Sequence, residues 1–241
     1  MAGIWQIVVA EMVGSMILIT FGFASIAATT LAQSYGQGSV WIVQGVCWGL
    51  GLAIGLLASI SLGSGGHINP ALTVAFVAAG FLPMAEAPAY FAGQLLGGFA
   101  SGVLIWCLHL PHWSKTEDPT VKLACFGTVP AIRSIWANLV AEIISFMFFV
   151  FGIFVILAAV PAENLVGMAF ATGALLTAAY CATGGQTTCG YSVDLGPRLA
   201  HQVLPISGKG SSDWAYSWVP VLGPILGGLI ATLLAGLLGL V

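Results

Sequence analysis

The stretch "GSGGHINPALTVAFVAA", Gly63 to Ala79, sets a histidine, an asparagine and a proline inside an otherwise apolar chain. Asn69 is a strong helix N-cap, and Pro70 suits the first helical position, where its missing N–H costs nothing. A helix is therefore predicted to open at Pro70 and to run through the apolar residues to Ala79. It is too short to span a bilayer core of about 30 Å, which takes roughly 20 residues. Irregular backbone at membrane depth is tolerated only where it is packed in protein or lines a wet cavity. The carbonyls of Gly65, Gly66, His67 and Ile68 are then available as a ladder of acceptors. Read alone, Asn-Pro could be a surface turn, but this one lies between two apolar spans and precedes an uncharged run.

Composition says what surrounds it. Only 5% of the 241 residues are charged and 59% are hydrophobic, with a mean hydropathy of +1.04; soluble domains carry roughly 25% charged residues. This is the composition of an integral membrane protein. A formal net charge of -3 offers no basic surface for nucleic acid. The five cysteines are odd in number, lack a C-x-x-C pair and sit mostly in apolar runs, which suits small core hydrophobes rather than disulfides or zinc. The first apolar segment has no basic leader and is too long for a signal core, so it reads as a retained span. Six spans are predicted: Ile4–Thr30, Ser39–Leu62, Ala87–Leu108, Ser134–Val160, Leu165–Ala182 and Trp214–Leu240. The polar segment 109–133 reads as an exposed connection between a first repeat, 1–108, and a second, 134–241.

The two parts resemble each other. "VAEMVGSM" and "VAEIISFM" align Glu11 with Glu142 (142 − 11 = 131), and "AGQLLGGFA" and "LGPILGGLI" align Gly93 and Gly97 with Gly223 and Gly227 (223 − 93 = 130). A unit with three spans, used twice, enters the membrane from opposite faces the second time. The functional centre of such an inverted repeat is expected near the midplane. Glu11 and Glu142 could snorkel to the interface, but duplication favours buried acceptors that hold irregular backbone inside the bundle. The spaced glycines allow close backbone approach.

"GGHINPALTVA", the paired "AE" starts, "CWGLG" in span two and "AGQLLGG" in span three resemble the aquaporin superfamily, the major intrinsic proteins, over essentially the whole chain. Trp48 in "CWGLG" and the later "DLGPR" are similar to the glycerol-facilitator branch. The resemblance implies an all-α membrane protein with six transmembrane helices and two re-entrant half-helices, forming a single channel domain. It implies a homotetramer with one pore per subunit in the cell membrane, passive conduction of water, glycerol and similar neutral solutes, and neither cofactor nor enzymatic activity. Asn69 of the Asn69-Pro70-Ala71 motif would give its amide to the solute, and the His67 region its carbonyls. The termini would be cytoplasmic.

The second motif departs from the family's Asn-Pro-Ala-Arg-Asp. Here the text is "GGQTTCGYSVDLGPRLA", in which Asp194, Gly196, Pro197 and Arg198 match the tail and Gly190-Tyr191 match the preceding Gly-aromatic pair. Either the segment is shortened, or Gly190, Tyr191, Ser192 and Val193 stand in the motif's place. Helix chemistry leans towards shortening: with Asp194 as the cap, Pro197 falls within the first turn, whereas with Ser192 as the cap it would break an internal bond. A second half-helix is thus expected to start near Asp194, with Arg198 as its structural partner four residues on. Its mouth would present a carboxylate or a serine hydroxyl where the family presents an amide and a guanidinium. Such a pore would be wider, lined by Trp48 and Tyr191, and less able to reject cations. All five basic residues would face outward, against the positive-inside tendency. His109, His112 and His201 show no metal-ligand spacing, and no nucleophile–base set appears. A non-conducting structural protein of the same fold, and a proton-coupled small-solute transporter, remain open at this stage.

Overall fold

The computed structural model describes residues 3–184 and 192–241, and of Ser192 and Val193 the backbone alone. Among the described residues the chain forms ten α-helices and no strand: α1 Ile4–Thr30, α2 Trp41–Ser61, α3 Pro70–Ala78, α4 Ala87–Leu108, α5 Leu110–Trp113, α6 Pro119–Ala124, α7 Ile135–Ala159, α8 Leu165–Thr183, α9 Ser192–Val203 and α10 Val219–Leu237. Six of them, α1, α2, α4, α7, α8 and α10, are long and apolar enough to cross a membrane. The short α3 and the α9 helix are the two half-helices.

The two repeats interlock. In the first, α1 packs on both α2 and α4; in the second, α7 packs on α10 and α8. Each half-helix docks on the closing span of the other repeat, α3 on α10 and α9 on α4, while α2 and α8 join the repeats directly. The aligned glycines explain the approach distances. A Cβ at Gly93 or Gly97 would strike the α1 carbonyls of Val8 or Met12; one at Gly227 would strike the α7 carbonyl of Ile143, and one at Gly223 the Glu142 side chain. With no side chain between them, the helices pack backbone on backbone, where dispersion contacts are densest.

Two expectations about element boundaries are corrected. The last span starts at Val219, not Trp214, because Pro220 takes a first-turn position; residues 214–218 form a separate turn in which Ser217 Oγ donates to Trp214 O at 2.8 Å. The 109–133 segment is not simply an exposed connection. It folds back through α5 and α6 and buries Trp113, Cys125 and Phe126, with the Trp113 and Phe126 rings 5.5 Å apart. Apolar side chains in a polar segment drive that return. Burial pushes the Cys125 thiol up to about 12, so it stays protonated and behaves as a core hydrophobe. Lys122 is buried there as well, its Nζ donating to Ser207 O at 2.6 Å.

Candidate pore and its supporting network

At the head of α3, Asn69 Oδ1 accepts the Ala71 N–H at 2.9 Å and Pro70 occupies the first turn. The cap uses the carboxamide's oxygen, and among the described residues the Nδ2 donates to none. Asn69 lines a central cavity of ≈ 100 Å³ together with Gly65, Gly66, His67 and Trp48. That volume holds several waters, since one needs on the order of 10–15 Å³. The rest of the wall is apolar, from Leu18 and Leu52 to Phe149, Ile153 and Leu176.

The non-helical approach to α3 is held by one carboxylate. Glu11 is fully buried in α1. Its Oε1 accepts from Ser59 Oγ at 3.0 Å, from the His67 N–H at 3.1 Å and from Ser64 Oγ; its Oε2 accepts from the Ile68 N–H at 2.6 Å and from Gln94 Nε2 at 2.7 Å. Tyr90 accepts the Gly65 N–H at 3.0 Å and stacks on His67 at 4.4 Å, while His67 Nδ1 meets Thr73 Oγ1 at 3.1 Å. With these N–H groups turned into the protein, the Gly65, Gly66 and His67 carbonyls accept from no described residue, and all three residues line the cavity. Ile68 does not join that ladder. Its backbone is left-handed at φ 43°, its carbonyl accepts from Ser15 Oγ at 3.4 Å, and its side chain packs where Gly14 leaves room. Pro70 and Ala71 are buried behind the cap and support it rather than line the cavity. Glu142 is fully buried at the matching place in α7.

The second half-helix differs from expectation. It is already helical at Ser192, and Pro197 lies inside it. Asp194 does not face the cavity. It is fully buried: Oδ1 accepts from the Thr128 N–H at 2.7 Å and from Arg198 Nη2 at 2.6 Å, and Oδ2 from Arg198 Nε at 2.7 Å. Arg198 is equally buried, and its remaining donors reach Ser212 O, Asp213 O and Thr128 O at 2.6, 3.2 and 3.0 Å. All five guanidinium hydrogens are thereby used. The pair needs its helical i, i+4 spacing, so it holds the turn across Pro197. The expected carboxylate at the mouth is replaced by a neutralised pair that ties α9 to both outer loops. Gly190 and Tyr191 lie outside the described residues, as do the side chains of Ser192 and Val193.

Trp48 packs edge-on against Phe23 at 5.3 Å, over Gly22, whose missing side chain makes room for the indole. Beyond it lies a second, outer cavity of ≈ 220 Å³ whose wall includes Thr30, Trp41, Gln44, Thr128 and Tyr180. Sequence reading missed Trp41, Gln44 and Tyr180. The available signal was Trp41, Gln44 and Trp48 at i, i+3 and i+7 on one face of span two, with an uncharged amide inside a membrane helix.

These features define an integral membrane protein built as an inverted repeat around a central cavity, with two half-helices carried inside it. The chain belongs to the major intrinsic protein family, whose model matches residues 1–235. It is 41% identical over 222 residues to the probable glycerol uptake facilitator protein of Thermotoga maritima, covering 90% of this chain and 93% of that one. It is 43% identical over 217 residues to the glycerol uptake facilitator protein of Bacillus subtilis, covering 88% and 77%. Its fold matches the aquaglyceroporin from Plasmodium falciparum with a TM-score of 0.81 at 22% identity, over 97% of this chain and 96% of that one.

Proposed function

We propose that the protein is a passive channel of the cell membrane, working as a homotetramer without enzymatic activity, that conducts small neutral polar solutes, glycerol and water among them. The observation that carries this reading is the central cavity. Its long apolar wall ends on the Asn69 amide and three backbone carbonyls, so a permeant exchanges part of its hydration shell for fixed donors and acceptors along one edge. The relatives named as glycerol uptake facilitators support the solute class. The altered filter is part of the proposal: the chain lacks the second Asn-Pro-Ala-Arg, and Arg198 is committed to loop carbonyls and Asp194. Losing a solute-facing guanidinium removes donors worth about 1–3 kcal/mol to a desolvated hydroxyl. It also relieves a steric limit. The pore is therefore wider and less discriminating among polyols. Stopped-flow light scattering of proteoliposomes should show glycerol entry well above that of protein-free vesicles; equal rates in the two would overturn the reading.

A further inference from the structure

Between the residues that line the central cavity and those that line the outer one stands a column of three rings. Trp41 and Trp48 stand on one face of α2, and Tyr180 reaches between them from α8, stacked on Trp41 at 4.7 Å and 12° and set 6.0 Å from Trp48 at 32°. Trp41 and Tyr180 line the outer cavity, whereas Trp48 lines the central one. Both Tyr180 and Trp48 are 1% exposed, so the column is closely packed.

Tyr180 is fixed there by a chain of bonds that leads into α1. Its hydroxyl donates to Gln44 Oε1 at 2.8 Å, Gln44 Nε2 donates to Thr29 Oγ1 at 2.7 Å, and Thr29 Oγ1 donates to Ser25 O at 2.8 Å. The Trp41 indole donates to Tyr180 O at 3.2 Å. A ring held at its tip cannot swing aside as a solvated tyrosine does, because the bond to Gln44 must break first. Among the described residues no charged side chain lines the outer cavity, and the buried Arg198 has spent its donors on Asp194 and the loops. What remains is the width left beside a fixed aromatic ring.

We infer that the two cavities join in a neck beside this column, and that Tyr180, positioned by Gln44, is a specificity-determining residue that sets the upper length of polyol this channel passes. The inference rests on the channel reading above. It is tested by the rates at which wild-type and variant proteoliposomes admit glycerol, erythritol and xylitol, each read as a ratio to glycerol. A steric neck rejects one added carbon by on the order of tenfold. Tyr180→Ala should therefore raise the erythritol ratio by roughly tenfold and the xylitol ratio, two carbons longer than glycerol, by roughly a hundredfold. Tyr180→Phe keeps the ring and loses the latch, worth about 1 kcal/mol, and should raise them by roughly fivefold. A residue with a merely structural role would lower all three rates together and leave the ratios fixed. If Tyr180→Ala does not reconstitute, the Tyr180→Phe ratios decide. Glycerol conduction with unchanged ratios in the variants overturns the assignment of Tyr180 alone; absence of glycerol conduction in the wild type overturns the channel reading and this inference with it.

Discussion

A carboxamide can cap a helix through its oxygen and still offer two N–H donors, which a serine or aspartate in the same place cannot. That is the physical content of Asn69: one atom fixes α3 and the other faces the cavity. Glu11 performs the complementary task. Five donors converge on its two oxygens, three of them from the Ser64–Ile68 backbone and side chains, so the loop's carbonyls are left for the cavity. A neutral amide of the same size cannot replace it, since its NH₂ group would confront the Ile68 N–H and the Gln94 amide. Glu11→Gln is expected to orphan these two buried donors, at about 1–3 kcal/mol each, and so to lower the apparent unfolding temperature in detergent markedly. Glycerol flux should fall with it, because the left-handed Ile68 stays in place only while its N–H is held. An unchanged melting transition would refute this account of the loop.

At the scale of elements, the first half-helix was legible to its first residue, and the second in its existence but not in its first turn. Asn69-Pro70 carries its own start signal, and Glu11 could be placed by the repeat. For α9, the weighing of Pro197 against the ladder considered only local bonds, and a helix start near Asp194 followed. The deciding term is tertiary: the Asp194–Arg198 pair, fully buried and bonded to loop residues 14 and 70 positions away, requires a helical turn across the proline. Nothing in the local text shows that Thr128 and Ser212 would be there. The pair also accounts for charge at this end of the bundle. Lys209 caps α9 through the His201, Gln202 and Leu204 carbonyls, and Arg133 forms a bidentate pair with Asp213, so these basic residues are staples of the loops around α9. Arg198→Leu should cost about 3–5 kcal/mol by leaving a buried carboxylate unpaired. Adding Asp194→Asn to that variant should recover part of the loss. Thermal unfolding of the single and double variants checks both, and a double variant less stable than Arg198→Leu would show that the carboxylate has other work to do.

For the molecule as a whole, the question is whether two inverted repeats around a cavity move against each other, as in alternating-access transporters, or stay fixed. The contacts argue for a fixed frame. Thr232 Oγ1 reaches the Ala75 carbonyl at 3.4 Å, and Gly228 lies against Ala71, which seats α3 of the first repeat on α10 of the second. In return, Gly196 of α9 meets Gly98 of α4 so closely that a Cβ would lie 2.8 Å from its Cα, and Gly102 receives Ala200. Gly49 and Gly173 interlock α2 with α8 in the same manner. Rocking one repeat would break all three seams together, and at Gly196 and at the Gly49–Gly173 pair the helices pack backbone to backbone with no side chain to take up the slack. Nor does the described cavity wall carry an acid that could couple proton movement to solute: Glu11 and Asp194 are both enclosed by donors outside it. Solute should therefore run down its gradient only. In proteoliposomes with an imposed proton gradient, internal glycerol should rise to the external concentration and no further. Its entry rate should grow in proportion to the outside concentration, without saturation at low millimolar levels. Accumulation above the external concentration, abolished when the proton gradient is collapsed, would mean that the seams open and that the repeats are moving parts.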